Sequence, residues 1–140
     1  MLTLASPGET VEFRGSGYHD HHYGTAPIGY GLTRWLRARV LTEDRAIMCQ
    51  IAAARDLAAS WQEQLIEADA HGVRNIDGQR WDAGRQRGDL WFPYPESFGC
   101  EAIRFSEPLV IGAGLGALWL TYSARLADGS VTRALCEIGV

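Results

Sequence analysis

Apolar and polar residues alternate with a period of two through much of the chain. In "ALWLTYSARL" the alternation sets Leu118, Leu120, Tyr122 and Ala124 on one face of an extended strand. Asp128-Gly129 then turns the chain into "VTRALCEIGV", a strong hairpin signal because these residue types tolerate the positive φ of a tight turn. Further up, "IGYGLTRWLRARVLT" sets Leu32, Arg34, Leu36 and Ala38 against Thr33, Trp35, Arg37 and Arg39, and "RAIMCQIAAA" reads as a buried strand.

Turn signals at "SPGE", "YGTAP", "TED", "AHG", "IDG", "AGRQRGD", "FPYPES", "GAGLG" and "ADGS" cut the chain into short segments. One stretch resists. "DLAASWQEQLIEAD" holds good helix formers, a capping Asp56, and Leu57, Trp61 and Leu65 at helical spacing. Period two fits it too, with Trp61, Glu63, Leu65 and Glu67 opposite Gln62, Gln64 and Ile66. The reading adopted is a strand from about Trp61 to Ala68, because sheet neighbours override propensity. The whole chain then reads as one all-β domain, 1–140. The architecture expected is an antiparallel β-barrel of about seven to nine strands around a central apolar cavity.

Composition narrows the class. The chain has 140 residues, 46% hydrophobic and 21% charged, the profile of a globular domain with an ordinary core. No apolar run reaches the roughly 20 residues that span a bilayer, and the N-terminus lacks a secretion signal, so a cytoplasmic location is expected. All thirteen basic residues are arginine, scattered among acids, and the formal net charge is −4, which argues against a nucleic-acid surface. Cys49, Cys100 and Cys136 are odd in number and widely spaced, so buried free thiols are expected rather than disulfides or a zinc ribbon. Five tryptophans, four phenylalanines and five tyrosines can line a cavity, although aromatics more often serve as core.

The candidate chemistry sits in "GSGYHDHHYG". If this stretch is extended, Tyr18, Asp20 and His22 share one face and His19, His21 and Tyr23 the other. A carboxyl group facing an apolar cavity has its pKa raised and can deliver a proton near neutrality. Asp20 is thus a candidate general acid, with His22 to reload it and Tyr18 to orient it. Alternation brings only two potential ligands to either face, too few for a protein zinc site, so no metal is expected. The bland alternative is a glycine-bounded bend whose polar residues satisfy backbone groups. No serine or cysteine carries a nucleophile signature such as GxSxG, and "GAGLG" has no helix after it to cradle a phosphate.

"GSGYHDHHYG" resembles the "GxGYHDHNWG" signature of the carotenoid 1,2-hydratase family, also called hydroxyneurosporene synthases, and of the related AttH-like proteins. Trp35 followed by "LRAR" resembles the strand after that signature, and "DGSVTRALCEIGV" resembles the closing hairpin. The resemblance implies a lipocalin-like (calycin) barrel acting on or binding long hydrophobic molecules. It maps an active-site tyrosine onto Tyr18 and an acid onto Asp20. His22 stands where the family usually has asparagine, and Tyr23 where it has tryptophan. The signature normally opens the second of two barrels, so the match is to the second domain alone.

The function expected is proton-transfer-assisted hydration of an alkene in a polyene or isoprenoid-like substrate, without a cofactor. Asp20, Tyr18 and His22 would be catalytic. Trp35, Tyr122, His19 and His21 would contact substrate, Trp35 and Tyr122 stabilising a carbocation through their ring faces. The alternatives are a pericyclase or cyclase that works by holding a polyene in a reactive fold, and a non-catalytic carrier of a hydrophobic ligand. A partner, or a second copy in a homo-oligomer, would supply the other barrel.

Overall fold

The computed structural model describes residues 2–6, 9–13, 32–54, 61–88, 93–114 and 116–139. Among them every regular element is a strand: β1 (Leu2–Ser6), β2 (Glu9–Phe13), β3 (Leu32–Leu41), β4 (Arg45–Ala54), β5 (Trp61–Asp69), β6 (Gly72–Asn75), β7 (Asp82–Ala83), β8 (Gln86–Arg87), β9 (Tyr94–Pro95), β10 (Phe98–Gly99), β11 (Ile103–Gly114), β12 (Ala117–Leu126) and β13 (Val131–Gly139). Strands β1 and β2 form a hairpin, β8 pairs with β9, and nine strands make one sheet in the order β6-β5-β4-β3-β13-β12-β11-β10-β7. All its pairings are antiparallel.

This sheet curls into a half-barrel, open between its β6 and β7 edges. Part of the bend is built into β11. The register with β12 shifts between Ser106 and Leu109, where Glu107 adopts φ 55° ahead of Pro108, and it shifts again between Val110 and Gly112. Such bulges bend the strand that carries them. Extent of curl is visible in a cavity whose walls include Leu65 and Ile76 from the β5–β6 side and Ile103 and Leu126 from β11 and β12.

The alternation read from sequence is the alternation of burial. Leu118, Leu120, Tyr122, Ala124 and Leu126 of β12 are buried, and the pairing Leu120–Cys136–Ala38–Cys49–Leu65 runs a row of buried side chains across five strands. All three cysteines are free and buried. The closing hairpin turns where expected: Gly129 takes φ 84°, and the Asp128 carboxylate accepts hydrogen bonds from the Ser130 amide at 2.8 Å and hydroxyl at 2.5 Å. The ambiguous stretch is strand β5. Pairing with β4 and β6 gives it backbone partners on both edges, and Leu65 and Glu67 share the buried face. Among the described residues no helix is long and apolar enough to cross a membrane.

Candidate functional site

The centre of the concave face of the half-barrel is filled by side chains. Phe98 stacks on Phe105 with ring centroids 4.4 Å apart and an interplanar angle of 16°. Tyr122 meets Phe98 edge-on at 5.2 Å, and its hydroxyl donates to the Pro95 carbonyl at 2.7 Å. Edge-to-face and offset contacts of this kind add to the burial of the rings. Tyr122 is fully buried, and desolvation of its phenolate raises its pKa strongly. Burial likewise pushes the Cys49 and Cys136 thiols up, away from nucleophilic use.

Space lies around this plug rather than through it. At one end, a cavity of about 110 Å³ is walled by Leu36, Ile51, Phe98, Ile138 and Pro95, with Arg34 at its margin. Arg34 Nη2 donates to the Pro93 carbonyl at 2.7 Å, which ties the start of β3 to the segment leading into β9. At the other end, a cavity of about 300 Å³ lies between Ile47, Leu65, Ile103 and Leu126, with Arg45, Glu67 and Asp128 on its wall. A third space, about 400 Å³ and lined by Gln50, Gln62, Gln64, Asn75 and Trp81, follows the β4–β6 edge.

The strand register decides what the sequence-derived site residues can do together. Trp35 pairs with Gly139, whereas the row Tyr122–Ala134–Val40 lies one residue out of phase with it. Directly opposed residues share a face and neighbours in sequence do not. Trp35 and Tyr122 therefore lie on opposite faces of the sheet. Trp35 borders the small cavity at its strand, but its ring lies over Gly139: a Cβ there would sit 1.8 Å from its Cζ2 atom. Tyr122 belongs to the aromatic core, with its hydroxyl committed to Pro95.

Tyr18, His19, Asp20, His21 and His22 lie outside the described residues. Among the described residues no group of three or more His, Cys, Asp and Glu is arranged to hold a metal. Among the other acids, Glu63 and Glu101 are exposed, and Glu137 pairs loosely with Arg39 at 4.0 Å.

Sequence reasoning missed a buried charge cluster. Glu67 is buried and bridges Arg45 Nη1 at 3.4 Å and Arg74 Nη2 at 3.0 Å, while Arg45 Nη2 also donates to Asp128. The signal was present, since an acid occupies the inward phase of β5. Asp128, held by Ser130 and then Arg45, keeps its carboxyl at a pKa of about 2, well below the usual range.

Over 61 residues, 44% of this chain, the sequence is 31% identical to a hydroxyneurosporene dehydrogenase of Chlorobaculum tepidum. The match covers 16% of that protein's length. No family model matches the chain. No solved structure matches it.

Proposed function

We propose that this chain binds the end of a polyene or isoprenoid-like molecule in its curled sheet and catalyses proton-transfer-assisted hydration of an alkene there. The observation that carries the reading is the partial similarity to a protein named a hydroxyneurosporene dehydrogenase, which supports a polyene-type ligand and not hydration itself; hydration is read from the GSGYHDHHYG stretch. The apolar cavity bounded by Leu36, Ile51, Phe98 and Ile138 supports it by size. About 110 Å³ corresponds to roughly four heavy atoms at the volume share of a liquid water, the scale of an isoprenoid end group rather than a whole chain.

In this reading Asp20 gives its proton to one alkene carbon. The tertiary carbocation that forms at the other carbon is captured by water, and the proton that water then sheds returns to Asp20. The net reaction adds one water and needs no cofactor. Tyr18 orients the Asp20 carboxyl and His22 passes it the returning proton, and His19 and His21 are further substrate contacts. Positioned general acids contribute about 10²- to 10⁴-fold.

The test is turnover of an acyclic isoprenoid alkene in D₂O, followed by mass spectrometry. The wild-type product carries one deuterium on carbon, and Asp20→Asn loses at least about 100-fold in rate. Unchanged turnover in Asp20→Asn overturns the acid assignment. Tight binding with the ligand recovered unaltered favours the carrier reading instead. That reading draws on the lining of the same cavity, where Arg34 is the one charged side chain among the described residues.

A further inference from the structure

Strand β5 runs on past the end of β6, and the step between them borders the cavity of about 400 Å³. Asn75, the last residue of β6, pairs with Ile66, so from Gln64 back to Trp61 the strand is paired only with β4 among the described residues. The Leu65 carbonyl accepts from the Ile76 amide at 2.8 Å, which fixes the phase of that edge. Backbone groups two residues apart point the same way, so those of Glu63 face the open step.

Five carboxamides line the space, from Gln50, Gln62, Gln64, Asn75 and Gln79. The register explains how four of them gather. Gln50 lies opposite Gln64, Gln62 is two residues along the same face, and Asn75 sits beside them opposite Ile66. Their one side-chain hydrogen bond among the described residues, from Gln64 Nε2 to Asn75 Oδ1, is long at 3.5 Å, so most of their donors and acceptors are open to a ligand. Leu65, Ile76 and the half-buried Trp81 supply the apolar part of the lining. Glu63 and Asp77 add two carboxylates, and among the described residues no cationic side chain takes part.

That balance selects a ligand chemistry. An anion would meet two carboxylates and no counter-charge. A carboxamide donates as well as accepts, so a polyamine, which only donates, leaves five amide donor groups without a use. Sugar hydroxyls donate and accept at every oxygen, which suits carboxamides and carboxylates together, and the C–H face of a sugar ring suits an indole. The volume lies in the range of small-molecule sites.

We propose that this cavity binds an uncharged saccharide, its hydroxyls on the carboxamides and the Glu63 backbone and one ring face against Trp81. None of these residues takes part in the Asp20 chemistry, so the two readings stand or fall separately.

The probes are four neutral disaccharides, maltose, cellobiose, lactose and sucrose, with glucuronate as the anionic control and spermidine as the donor-only control. In ¹⁵N-correlated NMR of the full chain, at least one disaccharide saturably shifts the Trp81 indole N–H and the side-chain amides of Gln62 and Gln64, and both controls bind at least about fivefold more weakly. Exchanging both exposed carboxamides, Gln62→Ala with Gln64→Ala, weakens the best sugar at least about fivefold, as read from the Trp81 indole and the Glu63 amide. Trp81→Ala abolishes the saturable shift. Glu63→Gln keeps sugar binding within about twofold, because a carboxamide still accepts, whereas a cation site would lose its ligand. No saturable shift with any of the four sugars, spermidine binding as tightly as the best of them, or full affinity in the double variant each overturns the proposal. Should Trp81→Ala fail to fold, the exposed Gln62 and Gln64 pair and the probe comparison still decide.

Discussion

Replacing Tyr122 with phenylalanine separates a core tyrosine from a substrate-contacting one. The ring stays, so the stack of Phe98 on Phe105 at 4.4 Å and the edge contact at 5.2 Å are kept. What goes is the hydroxyl that donates to the Pro95 carbonyl at 2.7 Å, in a side chain with no exposed surface. Leaving that carbonyl short of a buried donor is expected to cost about 1–3 kcal/mol. For a domain of this length about 4 °C of Tm follows each kcal/mol, so Tm falls by roughly 4–12 °C. Urea unfolding followed by tryptophan fluorescence gives the free energy directly, with an unchanged m-value showing that compactness is intact. Ligand affinity and turnover are expected to stay within about twofold once measured well below Tm. A stability change under ~0.3 kcal/mol with a large loss of turnover would refute the reasoning and return Tyr122 to the reacting centre.

Gly139→Ala forces the Trp35 ring aside, since the new Cβ would lie 1.8–2.2 Å from three of its ring atoms. Such overpacking is expected to cost about 1–3 kcal/mol, and Trp35→Leu in the same chain should restore most of it; strict additivity of the two substitutions in a thermal melt would contradict the contact. Asp128 has its pKa depressed to about 2 against an ordinary 3.8. Its carboxylate therefore stabilises the fold above pH ~4, and that contribution disappears as pH falls toward 2. Asp128→Asn should lower the urea midpoint at pH 6 and converge with wild type near pH 2, whereas parallel pH profiles would show that the carboxylate is not linked to folding.

Much of the fold was legible in the sequence because a strand writes its two faces into the chain at a fixed period. The buried phase of β12, the Asp128-Gly129 turn and the three buried thiols follow from local pattern and residue chemistry. Strand β5 was legible only by weighing period two against helix propensity, and its neighbours decided it by supplying backbone partners on both edges. The sequence likewise put Trp35 in one phase of its strand and Tyr122 in one phase of another. Whether those phases share a face depends on register between strands, where a shift of one residue exchanges the faces, and no local signal carries that information. The structure alone put the two rings apart, turned Tyr122 into core, and curled the sheet until Arg45, Glu67 and Asp128 met around one cavity. Those residues lie on strands β4 and β5 and the distant β12–β13 turn. The strand order, which sets β13 beside β3 and β4, and the curl of the sheet bring charges so far apart in the chain into contact.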